Sequence, residues 1–471
     1  VGLKNKFFSN LSFAFVAQFI SMIISLATNL ILPKFLGVDN YSYWQLFIFY
    51  SQYIPFLHLG LNDGVYLRYG GKSFETIDKA KIKTQLLLGI LYQLFFCVIL
   101  CIVSWIAVDS SSRYAIILLS CVYFLFFTIQ NYLGYIFQAT NETSWYSKAT
   151  ILNRILFLAI MSFCIIVGSE NCWPYIIAYI ISQFVSVLYS CYKGKTILTA
   201  PLISFKMGVY ETKESIRGGI KLMLANIASM LILGCGRQII DMKWGITTFG
   251  RVSFSITLTN FILTFIQQVG MVMFPMLRRL GEDKQKEIYE LCRLGLFFAL
   301  PIVFLIYFPA KTFLGMWLPD YTESLQYLAL MLPICFFDTK TQMLCNTYLK
   351  VWRKEKILFL INLVSMLTSF LVGAIGAYVI ESLYVVVLGM VFAIALRSGI
   401  SEFYLSRKMS INIKMNYIQE LLLVVLFMLT AWNMGTLNGF CILFIFYIIL
   451  LIVNQKSLRA FIKKCHSLYK I

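Results

Sequence analysis

Apolar residues in this chain neither alternate with polar ones nor recur as a single helical stripe. They fall into blocks of about 20, separated by short polar or basic connections. A helix of that length crosses a hydrocarbon core of about 30 Å. Only helices and closed barrels satisfy their backbone groups in lipid. Barrel strands would alternate apolar and polar positions over about ten residues, and these runs do not. The pattern predicts an all-α, polytopic integral membrane protein with about 14 transmembrane helices. The blocks lie near 8–32, 42–66, 84–107, 114–137, 149–168, 173–192, 218–240, 249–277, 294–316, 324–349, 357–379, 383–404, 417–435 and 437–454.

The pattern also repeats. The stretch Asn29–Gly71 leaves one apolar run, turns through Pro33-Lys34-Phe35-Leu36-Gly37 to Tyr41, and descends a second run to Leu59-Gly60-Leu61 and Arg68-Tyr69. A similar unit begins near Ile239, turns at Gly245-Ile246-Thr247-Thr248-Phe249 and ends in Phe274-Pro275-Met276-Leu277-Arg278-Arg279. Gly37-x3-Tyr41 and Gly245-x3-Phe249 mark one joint twice, as two pseudo-repeat lobes would. The expected organisation is a six-helix lobe over 1–192, a linker over 193–216 and a second six-helix lobe over 217–404. Two accessory C-terminal helices over 405–455 and a basic amphipathic tail over 456–471 follow.

Composition agrees: 60% hydrophobic residues, 13% charged and a mean hydropathy of +0.79 leave too little polar surface for a soluble chain. The net charge of +19 would suggest nucleic-acid binding in a soluble protein. Here it follows the loops. With the N-terminus inside, roughly 31 of the 40 basic residues fall on the inner side, including Arg278 and Arg279. Only Lys34, Arg113, Lys243 and Lys311 fall outside, so both termini are expected to be cytoplasmic. Nucleic acid is not an expected partner; anionic lipid headgroups are. The tail places Leu458, Phe461, Ile462, Cys465, Leu468 and Tyr469 on one face, as a helix lying on the inner leaflet would.

Candidate chemistry is sparse. The 12 cysteines are scattered singly and read as packing residues, and two histidines, His58 and His466, offer no metal site. The apolar run following Lys4 and Lys6 reaches Leu32, too long for a signal peptide, and reads as the first span. No GxxxxGK[ST] motif marks an ATPase, and no long outer loop houses a transferase or polymerase active site.

The motifs Pro33-Lys34-Phe35-Leu36-Gly37 with Tyr41, Leu59-Gly60-Leu61 with Arg68-Tyr69, Arg217-Gly218-Gly219-Ile220-Lys221-Leu222-Met223, Asp241, and Phe274-Pro275-Met276-Leu277 carry a resemblance. Together they resemble polysaccharide and O-antigen-type flippases of the multidrug/oligosaccharidyl-lipid/polysaccharide (MOP) exporter superfamily. The chain differs at Asn40-Tyr41, where members of that family often have Gly-Tyr. The resemblance implies two lobes around a central cavity and alternating access. It also implies a lipid-linked oligosaccharide substrate on undecaprenyl diphosphate, moved across the bacterial inner membrane during lipopolysaccharide or other surface polysaccharide biosynthesis. A polysaccharide polymerase and a chain-length regulator would be its partners. The expected protein is not an enzyme and has no cofactor, with H⁺ or Na⁺ as the coupling ion.

Moving a diphosphate and a hydrated glycan through lipid calls for a cationic lumen, so charges within spans are the candidates. Arg154, Lys340, Arg237, Arg251 and Arg397 are the candidate lumen cations, with arginine suited to bidentate binding of diphosphate. Competing structural readings are an i,i+4 pair for Arg237 with Asp241, a headgroup position for Arg251, and snorkelling for Arg397. Asp338, mid-span after Pro333, and Asp63 are the ion-coupling candidates. For Asp338 the alternative is a salt bridge to an arginine on another helix; for His58 it is packing. Intramembrane amides (Gln18, Asn29, Gln52, Gln130, Asn131, Gln138, Asn260, Gln267, Gln268) read either as interhelical hydrogen bonds or as contacts to sugar hydroxyls. Three other functions remain on the table: a multidrug or small-solute antiporter, a peptidoglycan-precursor flippase, and a membrane glycan polymerase.

Overall fold

The computed structural model describes residues 2–277 and 280–469, so Arg278 and Arg279 lie outside it. Helices account for the regular structure, with no strand among the described residues. The all-α membrane architecture stands. Two compact units divide the chain, Val1–Ile227 and Ala228–Ile471.

The repeated joint is a backbone feature in both halves. Within α1 (Gly2–Tyr53), Gly37 has φ 66° and ψ 178°; within α8 (Phe205–Leu277), Gly245 has φ 81° and ψ −179°. This is the mirror image of extended backbone, a region open essentially to glycine alone. Each residue interrupts an otherwise continuous helix with the same pair of dihedrals, so the sequence repeat is also a geometric one.

Among the described residues, eleven helices are long and apolar enough to cross a membrane, or twelve if a pair bent by 41° between Pro319–Met331 and Pro333–Val351 is one span. That count does not reach the fourteen expected from sequence. Two of the eleven, Val16–His58 and Phe205–Phe261, run to 43 and 57 residues and contain the glycine breaks. At 1.5 Å per residue even the shorter is about 65 Å long, twice a hydrocarbon core.

The first unit continues with α2 (Leu61–Tyr69), α3 (Lys79–Ala107), α4 (Ser111–Ala139), α5 (Thr143–Ile166), α6 (Cys172–Lys193), the single turn α7 (Lys195–Leu198) and α8 as far as residue 227. Asp78 caps α3 by accepting from the Lys81 N–H at 3.1 Å. α1, α4, α5 and α6 pack on one another. α2 instead meets the start of α8 backbone to backbone: a Cβ on Gly64 would lie 1.7 Å from the Ser215 carbonyl oxygen, and one on Gly219 2.0 Å from that of Gly60. Two of the motifs, Leu59-Gly60-Leu61 and Arg217-Gly218-Gly219, are thus two sides of one small-residue contact.

The second unit adds α9 (Glu282–Ala299), α10 (Pro301–Trp317), α11 (Thr322–Met331) and α12 (Pro333–Lys340). A π-helical turn Thr341–Cys345 leads into α13 (Asn346–Val351). Then come α14 (Glu355–Tyr378), α15 (Leu383–Met409), α16 (Lys414–Asn433), α17 (Thr436–Val453) and α18 (Gln455–Tyr469). The accessory pair α16–α17 is packed into this unit: Phe427 stacks on Phe304 at 4.3 Å and meets Tyr307 edge-on. The amphipathic α18 rests on α9, where Phe461 covers Gly295.

Candidate functional site

In the first unit a cavity of about 100 Å³ opens beside Arg154 of α5. Three tyrosines line it, Tyr123 from α4, Tyr146 from α5 and Tyr179 from α6, and all three lie within electrostatic reach of Arg154. The remaining polar lining is amide or hydroxyl: Gln130, Asn131, Thr150, Asn153 and Gln183. No Asp or Glu reaches it, and no carboxylate pairs with Arg154 among the described residues.

Packing fixes these groups in place. Tyr179 is held edge-on by Phe157 at 5.1 Å, Trp44 at 5.8 Å and Phe47 at 5.9 Å. The amides form a directed chain. Asn153 Nδ2 donates to Gln183 Oε1 at 2.6 Å, Gln183 Nε2 donates to Gln130 Oε1, and Gln130 Nε2 donates to Ser186 Oγ at 2.6 Å. Ser186 Oγ then donates to the Ala149 carbonyl at 2.8 Å. A guanidinium met only by neutral oxygens keeps an uncompensated positive field. The cavity, about three water volumes, admits a phosphate- or carboxylate-sized group.

The second unit treats its cations differently. Lys340, at the end of α12, is fully buried; its ammonium lies 2.5 Å from Glu402 Oε2 of α15 and 2.6 Å from Glu420 Oε2 of α16. Arg293 of α9 donates through Nε to Glu402 Oε1. These four residues are all at most 4% exposed, and their charges sum to zero. Beside them Arg397 donates to Asp338 and, at 2.7 Å, to Ser229 Oγ. Asp338 therefore pairs with an arginine on another helix, the alternative weighed for it from sequence, and Lys340 points away from it to different acids.

The other candidates are scattered. Arg237 lies over the Phe249 ring at 5.0 Å and donates to Ser253 Oγ at 3.1 Å. Arg251 pairs with the half-exposed Glu323. Asp63 is buried 3.9 Å from His58 Nε2, while His58 Nδ1 accepts from the Gly60 N–H at 2.8 Å. Of the nine amides named from sequence, Gln130 and Asn131 join the Arg154 cavity; the side chains of Gln267 and Gln268 lie outside those described. The described cysteines are free thiols, and no metal-binding group occurs among the described residues.

Glu402, Glu420 and Glu211 did not stand out in the sequence. Glu211, at the start of α8, accepts from Arg68 at 2.5 Å and Lys81 at 2.7 Å, fastening that helix to α2 and α3. Glu402 and Glu420 fall inside the apolar runs 383–404 and 417–435, so an inventory of intramembrane acids as well as cations would have raised both.

A family model for polysaccharide biosynthesis proteins matches residues 73–321, more than half of the chain. No curated protein matches the chain in sequence. Among solved structures, the one described as lipid II flippase MurJ in an inward closed conformation superposes with a TM-score of 0.68 at 13% identity, over 94% of this chain and 99% of that one. An inward-facing multidrug resistance MATE family transporter of the MOP superfamily gives a TM-score of 0.65 at 14% identity, over 84% of this chain and 98% of that one. At these identities the likeness is one of fold, shared with these two transporters.

Proposed function

Because the chain belongs to the polysaccharide biosynthesis protein family, we propose that it is a flippase for lipid-linked oligosaccharide. It carries repeat units on undecaprenyl diphosphate from the inner to the outer leaflet of the bacterial inner membrane by alternating access, for O-antigen or related surface polysaccharide. Both termini face the cytoplasm, as the loop charges suggest.

The observation that supports this reading best is Arg154. Its guanidinium faces a polar cavity lined by tyrosines and amides and lacking any carboxylate. Such a set suits an anion attached to a sugar: the guanidinium takes the anionic group bidentately, tyrosine faces stack on pyranose rings, and amides exchange hydrogen bonds with hydroxyls. A cation-exporting site would need the opposite charge.

The test is a deletion strain in which lipid-linked intermediates are quantified on each side of the inner membrane. Complete units accumulating on the cytoplasmic side, relieved by the wild-type gene and not by Arg154→Ala at equal expression, support the proposal. Units that reach the outer leaflet unpolymerised, or unaffected polysaccharide with raised sensitivity to cationic dyes, refute it.

A further inference from the structure

The Arg293–Glu402–Lys340–Glu420 quartet is buried more completely than any charge on the Arg154 cavity, yet it is not fully satisfied. Glu402 accepts from Arg293 through Oε1 and ion-pairs with Lys340 through Oε2, which forms no hydrogen bond. Glu420 accepts from Lys340 alone, and its Oε1 has no partner although the side chain is 1% exposed. Two donors nearby are also left over: Arg293 Nη2 and the Tyr289 hydroxyl, both on α9 and both buried. A buried polar atom without a hydrogen-bond partner is costly, and four around one ion cluster, Glu402 Oε2 included, call for a reason.

We propose that the quartet is a proton-binding site, and that Glu420 Oε1 is the atom that takes the proton. Glu420 is the less stabilised of the two carboxylates, having one cationic partner where Glu402 has two. Protonation turns its carboxylate into a carboxylic acid and leaves Lys340 with Glu402 as its only counter-ion. The net charge of the quartet passes from zero to +1. The other charged or titratable groups facing the cluster are Tyr289 on α9, Cys345 in the π-helical turn, Arg397 on α15 and Tyr417 on α16 itself. None of them supplies a second anion. The extra charge therefore weakens the hold of α16 on α12, and the π-helical turn begins one residue after Lys340. Use of this proton to drive transport rests on the proposed function; the binding of the proton does not.

The test is infrared spectroscopy of the purified protein in lipid nanodiscs, titrated from roughly pH 9 to 5. The wild type is expected to gain one protonated-carboxyl C=O band as pH falls, and Glu420→Gln to lose that band. Should Glu420→Gln fail to fold, the charge-balanced double variant Lys340→Met with Glu420→Gln takes its place and also lacks the band. A band that persists in whichever variant folds, or a wild type that shows no titrating carboxyl band, overturns the proposal and leaves the quartet a fixed ion network. In an export assay the wild-type rate changes several-fold over the same range, and in Glu420→Gln less than about twofold. An unchanged pH profile in Glu420→Gln refutes the use of this proton in transport, whatever the bands show. If the wild type exports nothing, the flippase reading fails while the infrared result still decides the proton site.

Discussion

Arg154 and Lys340 are both intramembrane cations, and from sequence they were equal candidates for one role. Their surroundings separate them. Lys340 is enclosed by Glu402 and Glu420, and its neighbour Arg293 shares Glu402, so the cluster carries no net charge. Arg154 shares the lining of an open cavity with three tyrosines and a chain of amides. A cation whose counter-charges are built into the fold gains little from an arriving anion. One whose neighbours are neutral oxygens gains a great deal, because its desolvation has not been offset. The field available to a substrate therefore depends on the acids around a cation, not on the number of cations in the spans.

Substitutions sharpen that contrast. The largest effect is expected at Glu402→Gln, which strands Arg293 and Lys340 without their shared anion. Breaking a buried ion cluster from one side costs about 3–5 kcal/mol, read as loss of folded protein and a fall in Tm in detergent. Arg154→Ala should do the reverse, cutting export about tenfold or more while shifting Tm by less than about 2 °C, with Arg154→Lys intermediate because it keeps charge and loses the fork. Equal Tm losses at the two positions would erase the distinction between them. Next comes Gly64→Ala, whose methyl would overlap the Ser215 carbonyl. It should destabilise by about 1–3 kcal/mol, while Gly218→Ala, with nothing within 4 Å, is close to neutral. The smallest effect is expected at Lys243→Ala. Its partner Glu381, whose carboxyl the Lys243 ammonium holds below the usual range at 2.7 Å, is exposed, and loss of the pair should leave Tm unchanged.

Much of the fold was legible because lipid demands a coarse signal. Apolar blocks of helical length and the repeated glycine joint are both properties of contiguous sequence. The span count was harder, since α1 and α8 continue as helix on either side of Gly37 and Gly245. Arg154 could be named because a lone arginine in an apolar run is conspicuous. That Lys340 and Arg397 already have buried partners could not be read. Lys340 finds Glu420 across 80 positions and Arg397 finds Asp338 across 59, and which helices neighbour one another decides those pairings. The accessory helices illustrate the same point: Glu420, on a segment that looked appended, completes the charge balance of the Arg293–Glu402–Lys340 cluster.

The two joints at Gly37 and Gly245 have one more consequence. A Cβ built on either meets no heavy atom within 4 Å, so neither position is short of room. What excludes a side chain is the combination of positive φ with ψ near 180°, a well that belongs to residues of opposite handedness. These positions discriminate by chirality and not by size. A semisynthetic chain carrying D-alanine at 37 or 245 should keep the joint, where the L-enantiomer, identical in volume, should not.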